Sequence, residues 1–266
     1  PAPLQGRVVA LSNAGSGLHE LLQDLLPTWG LAYQRQDSSA GLDATQFAGI
    51  SAAGFGALSL TQFNALMGPG TERVAALTAA QVDGLTPAEV SALGARVASL
   101  SAAALGSLDA AQVDGLTVAQ VTALGANVSN LTPAAIGSLD AGQLGGVSVA
   151  YNGFLSNFSA AQLAAISPAA LAGVSVSQIT GIHNVHWPMQ AATIAGLGTS
   201  ITGLSSAALA AIGGYSPNAS YNIVLSPAQV SALGSRVSEL STAAVANLGA
   251  TQVDSLTTAQ ISALGT

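Results

Sequence analysis

The chain has 266 residues and a net charge of −7; half of its residues are apolar, 6% are charged, and none is cysteine or lysine. Five arginines spread over this length are too few to neutralise a nucleic-acid backbone or an anionic lipid surface. The absence of cysteine excludes disulfides, thiolate metal sites and cysteine nucleophiles. The abundance of apolar residues still allows a sizeable core.

The mean hydropathy of +0.53 raises the question of a membrane span. Ser, Thr, Asp or Gln recurs every few positions, so no apolar run reaches the roughly 18 residues that a spanning helix needs. We therefore expect no membrane span. Pro1 opens into sequence without the charged and apolar regions of a signal peptide, so a processed chain or a fragment of a longer one is expected.

Residues 1–41 differ in composition from the rest of the chain. RVVALS is typical of a strand, GLHELLQDLL of an amphipathic helix and GLAYQRQD of a second strand. Gly15 and Gly17, with Asp37 about twenty residues on, are similar to part of a dinucleotide-binding fingerprint, but one of its three glycines is absent and no further strand–helix alternation follows. We predict instead a small strand–helix–strand cap that shields the first repeat.

An eight-residue rhythm runs through residues 42–182. From Leu77 to Leu139, large apolar residues follow one another at steps of 8, 8, 7 and 8, so three octads and one heptad make a 31-residue super-repeat. Each octad reads Leu, then Ser, Thr or Asp, two small residues, Gln, Glu or Ala, an aliphatic residue and two small residues. The clearest leucines are Leu77, Leu85, Leu93, Leu100, Leu108, Leu116, Leu124, Leu131 and Leu139.

The octad contains the start signal of a helix. Ser, Thr or Asp at the N-cap accepts hydrogen bonds from the first helical turn, and a Gln or Glu three residues later bonds back to the cap. Proline is tolerated directly after the cap, and glycine at the end of an octad indicates a stop. These residues are the pairs Thr78–Gln81, Thr86–Glu89, Asp109–Gln112, Thr117–Gln120, Ser159–Gln162, Ser226–Gln229 and Thr257–Gln260, with Pro87, Pro133, Pro168, Pro227, Gly84, Gly115 and Gly173.

The heptad predicts a different element. Val90, Leu93, Val97 and Leu100 follow 3-4-3 spacing, which favours one longer helix that contains Gly94. A lone eight-residue helix is not stable in water, so each octad must pack on its neighbours. The sequence therefore predicts a mainly α protein, a solenoid-like array of short capped helices built from the 8/8/7/8 repeats.

Residues 183–224 leave the rhythm and predict an irregular insert with two loops. His183, His186 and Trp187 lie in the first loop; two histidines three residues apart can ligate a metal or haem, but no third ligand is near, and ordinary packing is the competing interpretation. Tyr215 and Tyr221 lie in the second loop, where they suit ligand or glycan contact or cover the end of the core. The loops lie about 30 residues apart, close to one super-repeat, which favours their lying side by side.

The octads return at Leu225 and continue through residues 225–266. The 32 residues that start at Leu225 match the 32 that start at Leu85 at most positions. The two sequences are LSPAQVSALGSRVSELSTAAVANLGATQVDSL and LTPAEVSALGARVASLSAAALGSLDAAQVDGL. The predicted organisation is therefore a cap in residues 1–41, a helical array in 42–182, an insert in 183–224 and a second array in 225–266.

The unit LTxAQVxAL resembles the octapeptide repeats of large secreted bacterial surface and adhesin-like proteins. The caps, glutamines and aliphatic positions given above carry this resemblance over about two-thirds of the chain. The resemblance implies export, residence at the cell surface or in a biofilm matrix, and a spacer or adhesive role. LTPAEVSAL also resembles the opening of the DNA-reading repeats of TAL effectors, but the period differs and the base-reading pair is absent.

No catalytic constellation stands out. The sequence has no GxSxG elbow, and Asp83, Asp114 and Asp254 occupy repeat positions where a solvated turn explains them. We expect no enzyme activity, no cofactor and no nucleic-acid partner. The expected function is an extracellular structural or adhesive module of a bacterial surface protein, which assembles with itself into a layer or filament or binds other surface proteins or glycans. The alternative is a module that binds a metal, haem or glycan through the 183–187 and 215–221 loops.

Overall fold

The computed structural model of the protein describes residues 8–11, 32–35, 44–147, 154–180, 187–212 and 225–265. The chain divides into two compact bodies, Pro1–Leu108 and Asp109–Thr266. In both bodies the described residues are mainly helical, and most of the helices are short. The mainly α fold class and the short helices predicted from the octads are confirmed.

In the described part of the first body, α-helices alternate with short turns, and one of the elements is a 3₁₀ helix. The helices span Ala44–Ala48, Ala52–Gly56, Leu60–Met67, Glu72–Ala75, Ala79–Asp83, Pro87–Ala92 and Ala102–Leu105, and the 3₁₀ helix spans Gly94–Ser99.

In the second body, the same two kinds of element continue. The α-helices span Ala110–Asp114, Val118–Leu124, Pro133–Gly137, Ala141–Gly146, Ala160–Ala165, Pro168–Leu171, Val176–Thr180, Trp187–Gly196, Ser206–Ala211, Pro227–Leu233, Thr242–Ala246, Ala250–Asp254 and Thr258–Leu264. The 3₁₀ helices span Gly125–Asn130, Phe154–Asn157, Gly198–Gly203 and Gly234–Glu239.

Two strands precede the helices, Val8–Leu11 and Ala32–Arg35, and they pair in parallel with Val8 opposite Ala32. The helix predicted between them lies outside the described residues. The two strands alone do not support the predicted cap, because the rest of residues 1–41 lies outside the described part. The capping role of residues 1–41 stays a prediction.

The octad helices begin as their sequence predicts. In the helix Val118–Leu124, the hydroxyl of Thr117 accepts from the backbone N–H of Gln120 at 3.2 Å, and the side-chain carbonyl of Gln120 accepts from the backbone N–H of Thr117 at 3.0 Å. All seven predicted pairs form this reciprocal box, and the four predicted prolines occupy the first helical turn. Satisfied N–H groups explain how helices this short persist.

Glycine at the end of an octad was predicted as a helix stop, but the structure shows that it is needed where two backbones come close together. Gly84 follows its helix with a φ of −80°, which any residue can adopt. A Cβ added there would lie 2.5 Å from the carbonyl oxygen of Ala52, closer than side-chain carbons approach a backbone. The position therefore requires glycine because two backbones come close together.

The longer helix predicted through the heptad is wrong. Gly94 has a φ of +58°, in the left-handed region that glycine adopts without cost. The chain therefore leaves the α-helix Pro87–Ala92 and continues as the 3₁₀ helix Gly94–Ser99. Gly125, Gly198 and Gly234 have the same conformation at the start of their own 3₁₀ helices.

Within each body, elements pack on the element three repeat units later. In the first body, Ala52–Gly56 packs on Ala79–Asp83, which packs on Ala102–Leu105. In the second body, one such column consists of Val118–Leu124, Ala141–Gly146, Pro168–Leu171, Gly198–Gly203, Pro227–Leu233 and Ala250–Asp254. Three successive repeat units therefore form what we call a tier. The 31-residue super-repeat has four units, so it is a period of the sequence and not of the packing.

The repeated apolar positions form the core of each body. Val82 and Val90 in the first body, and Val113 and Val121 in the second, are 0% exposed. The nine leucines that define the predicted rhythm are all buried. Because each octad is too short to enclose a core alone, these side chains are buried only where one tier covers the next.

Candidate functional site

The predicted ligand-binding residues are not placed by the structure. His183, His186, Tyr215 and Tyr221 lie outside the described residues. Trp187 begins the helix Trp187–Gly196, and its side chain also lies outside the described part. Their proposed roles, and the predicted proximity of the two loops, stay predictions.

The described residues bring together a different set, the glutamines of the capping boxes. Gln143 is 2% exposed, and its side-chain carbonyl accepts from the backbone N–H of Asp140 at 2.8 Å. Its amide nitrogen donates to the carbonyl oxygens of Leu116 at 2.7 Å and Val113 at 3.2 Å, which belong to the preceding tier. One side chain thus starts its own helix and binds that helix to the tier beneath it.

The same double contact recurs along the chain. In the first body, the amide nitrogen of Gln81 donates to the carbonyls of Phe47 and Ile50 at 3.0 and 2.9 Å. In the second body, equivalent donations to the preceding tier come from Gln162, Gln178, Gln229, Gln252 and Gln260. We call this contact the glutamine clasp.

The preference for Gln over Glu in the predicted capping boxes indicates the clasp, although the sequence analysis did not use it. Either Gln or Glu can complete a capping box, because only the side-chain oxygen is used. Six of the seven predicted boxes nevertheless contain Gln. That preference indicates that the amide nitrogen also has a partner. In several octads without Gln, the same position carries a buried alanine, as at Ala104, Ala135 and Ala208.

Glu89 occupies a clasp position without an amide. One carboxylate oxygen accepts from the backbone N–H and the hydroxyl of Thr86 at 2.7 and 2.8 Å. The other carboxylate oxygen is buried and has no hydrogen-bond partner among the described residues. Glu89 is 1% exposed, so this oxygen has lost its water without gaining a donor, which costs stability.

Arginines of the described part also bind backbone carbonyls. Arg236 donates to the carbonyls of Thr202 at 2.5 Å and Leu204 at 2.7 Å, and it forms an ion pair with Glu239 at 2.8 Å. The hydrogen bond from Arg236 lowers the pKa of Glu239 below its ordinary value of 4.5, and burial opposes this shift. Arg96 likewise donates to the carbonyls of Gly68 and Gly70. These cations hold neighbouring tiers together.

The last tier of the second body, which contains the helices Thr242–Ala246, Ala250–Asp254 and Thr258–Leu264, is packed on one side only within the described part. Val253 and Ile261 are 49% and 57% exposed, whereas Val113 and Val121 at the same repeat positions are 0% exposed. We call the surface formed by Val245, Val253, Ile261, Leu248, Leu256 and Leu264 the C-terminal face. A groove of about 460 Å³ opens there, lined in part by Leu240, Val245 and Leu264.

The comparison with known families bears on this last tier. A family model described as the ALTTAQ repeat matches residues 237–266. The match supports a repeat-containing protein and includes the sequence LTTAQ at Leu256–Gln260, which is the cap and clasp of one octad. No curated protein and no solved structure matches the chain.

The described residues show neither a membrane-spanning helix nor a metal-binding cluster. None of their helices is both long enough and apolar enough to cross a membrane, in agreement with the sequence-based expectation. The same residues contain no group of three or more His, Asp or Glu side chains arranged to hold a metal ion.

Proposed function

We propose that this chain is a structural and adhesive repeat module of an extracellular bacterial surface protein. In this proposal the stacked tiers form a solenoid, and copies of the module associate into a layer or filament. The partners are other copies of the module, or other proteins and glycans at the same surface.

The glutamine clasp is the observation that carries this proposal. Every clasp joins one repeat unit to another repeat unit, as Gln143 does to Leu116 and Gln178 does to Val147 at 3.1 Å. Each added octad supplies the groups that form such a contact, so the array lengthens by the addition of further octads. Such growth suits a spacer or an adhesive stalk, in which length and repeated surface matter more than a single cavity.

The composition supports self-association. Only 6% of the residues are charged, and the arginines Arg96 and Arg236 are engaged with backbone carbonyls. Surfaces with few charges repel one another weakly and associate readily. The resemblance of the octads to repeats of secreted surface proteins supports the extracellular location.

Display of the chain on cells tests the proposal. The whole chain is fused to an outer-membrane anchor in a bacterium that does not aggregate, and settling is compared with that of cells carrying the anchor alone. We expect the displaying cells to aggregate and settle faster, and we expect added soluble chain to compete. Identical settling of the two strains, with display verified by antibody labelling, would contradict the adhesive function.

A further inference from the structure

Glu89 has the one buried side-chain oxygen or nitrogen that finds no hydrogen-bond partner among the described residues. Its other carboxylate oxygen, Oε2, accepts from the backbone N–H and the hydroxyl of Thr86, which completes the start of the helix Pro87–Ala92. The capping contact therefore does not use Oε1, although this atom is enclosed in a residue that is only 1% exposed.

The repeat assigns Oε1 to the position of an amide nitrogen. In the octad before, the amide nitrogen of Gln81 donates to two carbonyls of the preceding tier. The carbonyls that correspond to them for Glu89, eight residues later along the chain, are those of Phe55 and Leu58. An ionised carboxylate has no donor to offer them, so it brings a buried acceptor to other acceptors, which is unfavourable.

A proton on Oε1 removes this conflict. A neutral carboxyl group carries one O–H donor and keeps acceptor capacity on its other oxygen, so it can bond to one carbonyl of the preceding tier while Oε2 remains in the capping box. We infer that Glu89 is a proton-dependent clasp, which binds the helix Pro87–Ala92 to the preceding tier when Oε1 takes up a proton from solvent.

The charges around Glu89 are few. The two elements with the main contacts to the helix Pro87–Ala92 are the helix Leu60–Met67, which has no ionisable side chain, and the 3₁₀ helix Gly94–Ser99, which has only Arg96. The guanidinium of Arg96 donates to three backbone carbonyls. On these described elements, backbone carbonyls rather than Glu89 therefore engage the one cation.

The direction of the pH effect follows from the hydrogen bond. In the fold, only the protonated form of Glu89 has a donor for the preceding tier, whereas both forms are hydrated in the unfolded chain. A fall in pH therefore stabilises this contact. The ion pair of Arg236 and Glu239 in the second body responds in the opposite direction, because Arg236 lowers the pKa of Glu239.

Amide hydrogen exchange of the full chain tests the inference. Protection of residues 60–92 is compared between the wild type and Glu89→Gln at about pH 7.5 and at about pH 4, close to the pH at which solvated glutamates take up a proton. The glutamine variant has its donor at both pH values. We expect it to be about 10-fold better protected than the wild type at neutral pH and only about 3-fold better in acid, because a neutral carboxyl restores one of the two hydrogen bonds.

Two substitutions of Gln81 provide matched controls. Gln81→Glu places a second carboxyl group at a clasp position, so its loss of protection relative to the wild type should shrink in acid. Gln81→Met has neither an amide nor a titrating proton, so its loss should be the same at both pH values. If Gln81→Glu does not fold, Glu89→Gln alone decides, since that substitution adds hydrogen bonds and removes none. An advantage of Glu89→Gln that is equal at the two pH values, or a deficit of Gln81→Glu that does not change with pH, would overturn the inference.

Discussion

Replacement of Glu89 by glutamine is expected to stabilise the protein. The unpartnered oxygen of Glu89 is buried, and an amide nitrogen in its place would face the carbonyls of Phe55 and Leu58. These carbonyls lie eight residues after those of Phe47 and Ile50, which accept from Gln81 in the preceding octad. Relief of one buried unsatisfied polar atom, with new hydrogen bonds, is worth about 1–3 kcal/mol of unfolding free energy.

Urea unfolding followed by circular dichroism, together with amide hydrogen exchange of peptides from residues 60–92, measures this effect. A gain of this size shifts the urea midpoint on the order of 1 M, and the exchange data assign it to the first body even if the array unfolds in parts. Gln81→Glu is the matched control, and we expect it to destabilise by a similar amount. If Glu89→Gln is neutral or destabilising and Gln81→Glu has no effect, the amide donors do not hold the tiers together.

Three further predictions concern single positions. Gly125→Ala should lower the free energy of unfolding by about 1–2 kcal/mol, because the φ of Gly125 is +53°. The control Gly142→Ala, within a helix, should be neutral or stabilising. Equal thermal midpoints for the two variants would refute the role of the left-handed glycine. Arg236 lowers the pKa of Glu239, so their ion pair stabilises the fold above pH 4.5, and this stabilisation is lost as the pH falls through the lowered pKa. Glu239→Gln should therefore reduce the loss of stability against urea on acidification. An unchanged pH profile of the variant would contradict this. Gly249 is an N-cap without a side chain, so Gly249→Asp should add a few tenths of a kcal/mol and slow amide exchange in the helix that it begins, and faster exchange would count against it.

The sequence predicted the parts of the fold that are local. An N-cap, its partner three residues later and the following proline interact within one octad, so Thr117 and Gln120 could be paired without any tertiary knowledge. The same holds for the buried leucines, because their spacing alone distinguishes them from the solvated positions.

The non-local features could not be read in the same way. The clasp of Gln143 on Leu116 depends on which units come together in space, and the spacing along the chain does not determine that. The continuous helix through Gly94 failed because apolar spacing says nothing about the sign of φ. The roles proposed for the histidine and tyrosine loops stay predictions, because His183, His186, Tyr215 and Tyr221 lie outside the described residues.

The 3₁₀ segments affect which octads pair with one another when the chain folds. Octads that are nearly interchangeable invite a shift of one repeat during folding, much as uniform strands invite slippage. The segments Gly94–Ser99, Gly125–Asn130 and Gly234–Glu239 contain no glutamine, so a shifted chain would set some of them where an amide donor is needed. Such a shift would leave carbonyl groups without the amide donor that they have in the native alignment, and the loss of these hydrogen bonds disfavours it.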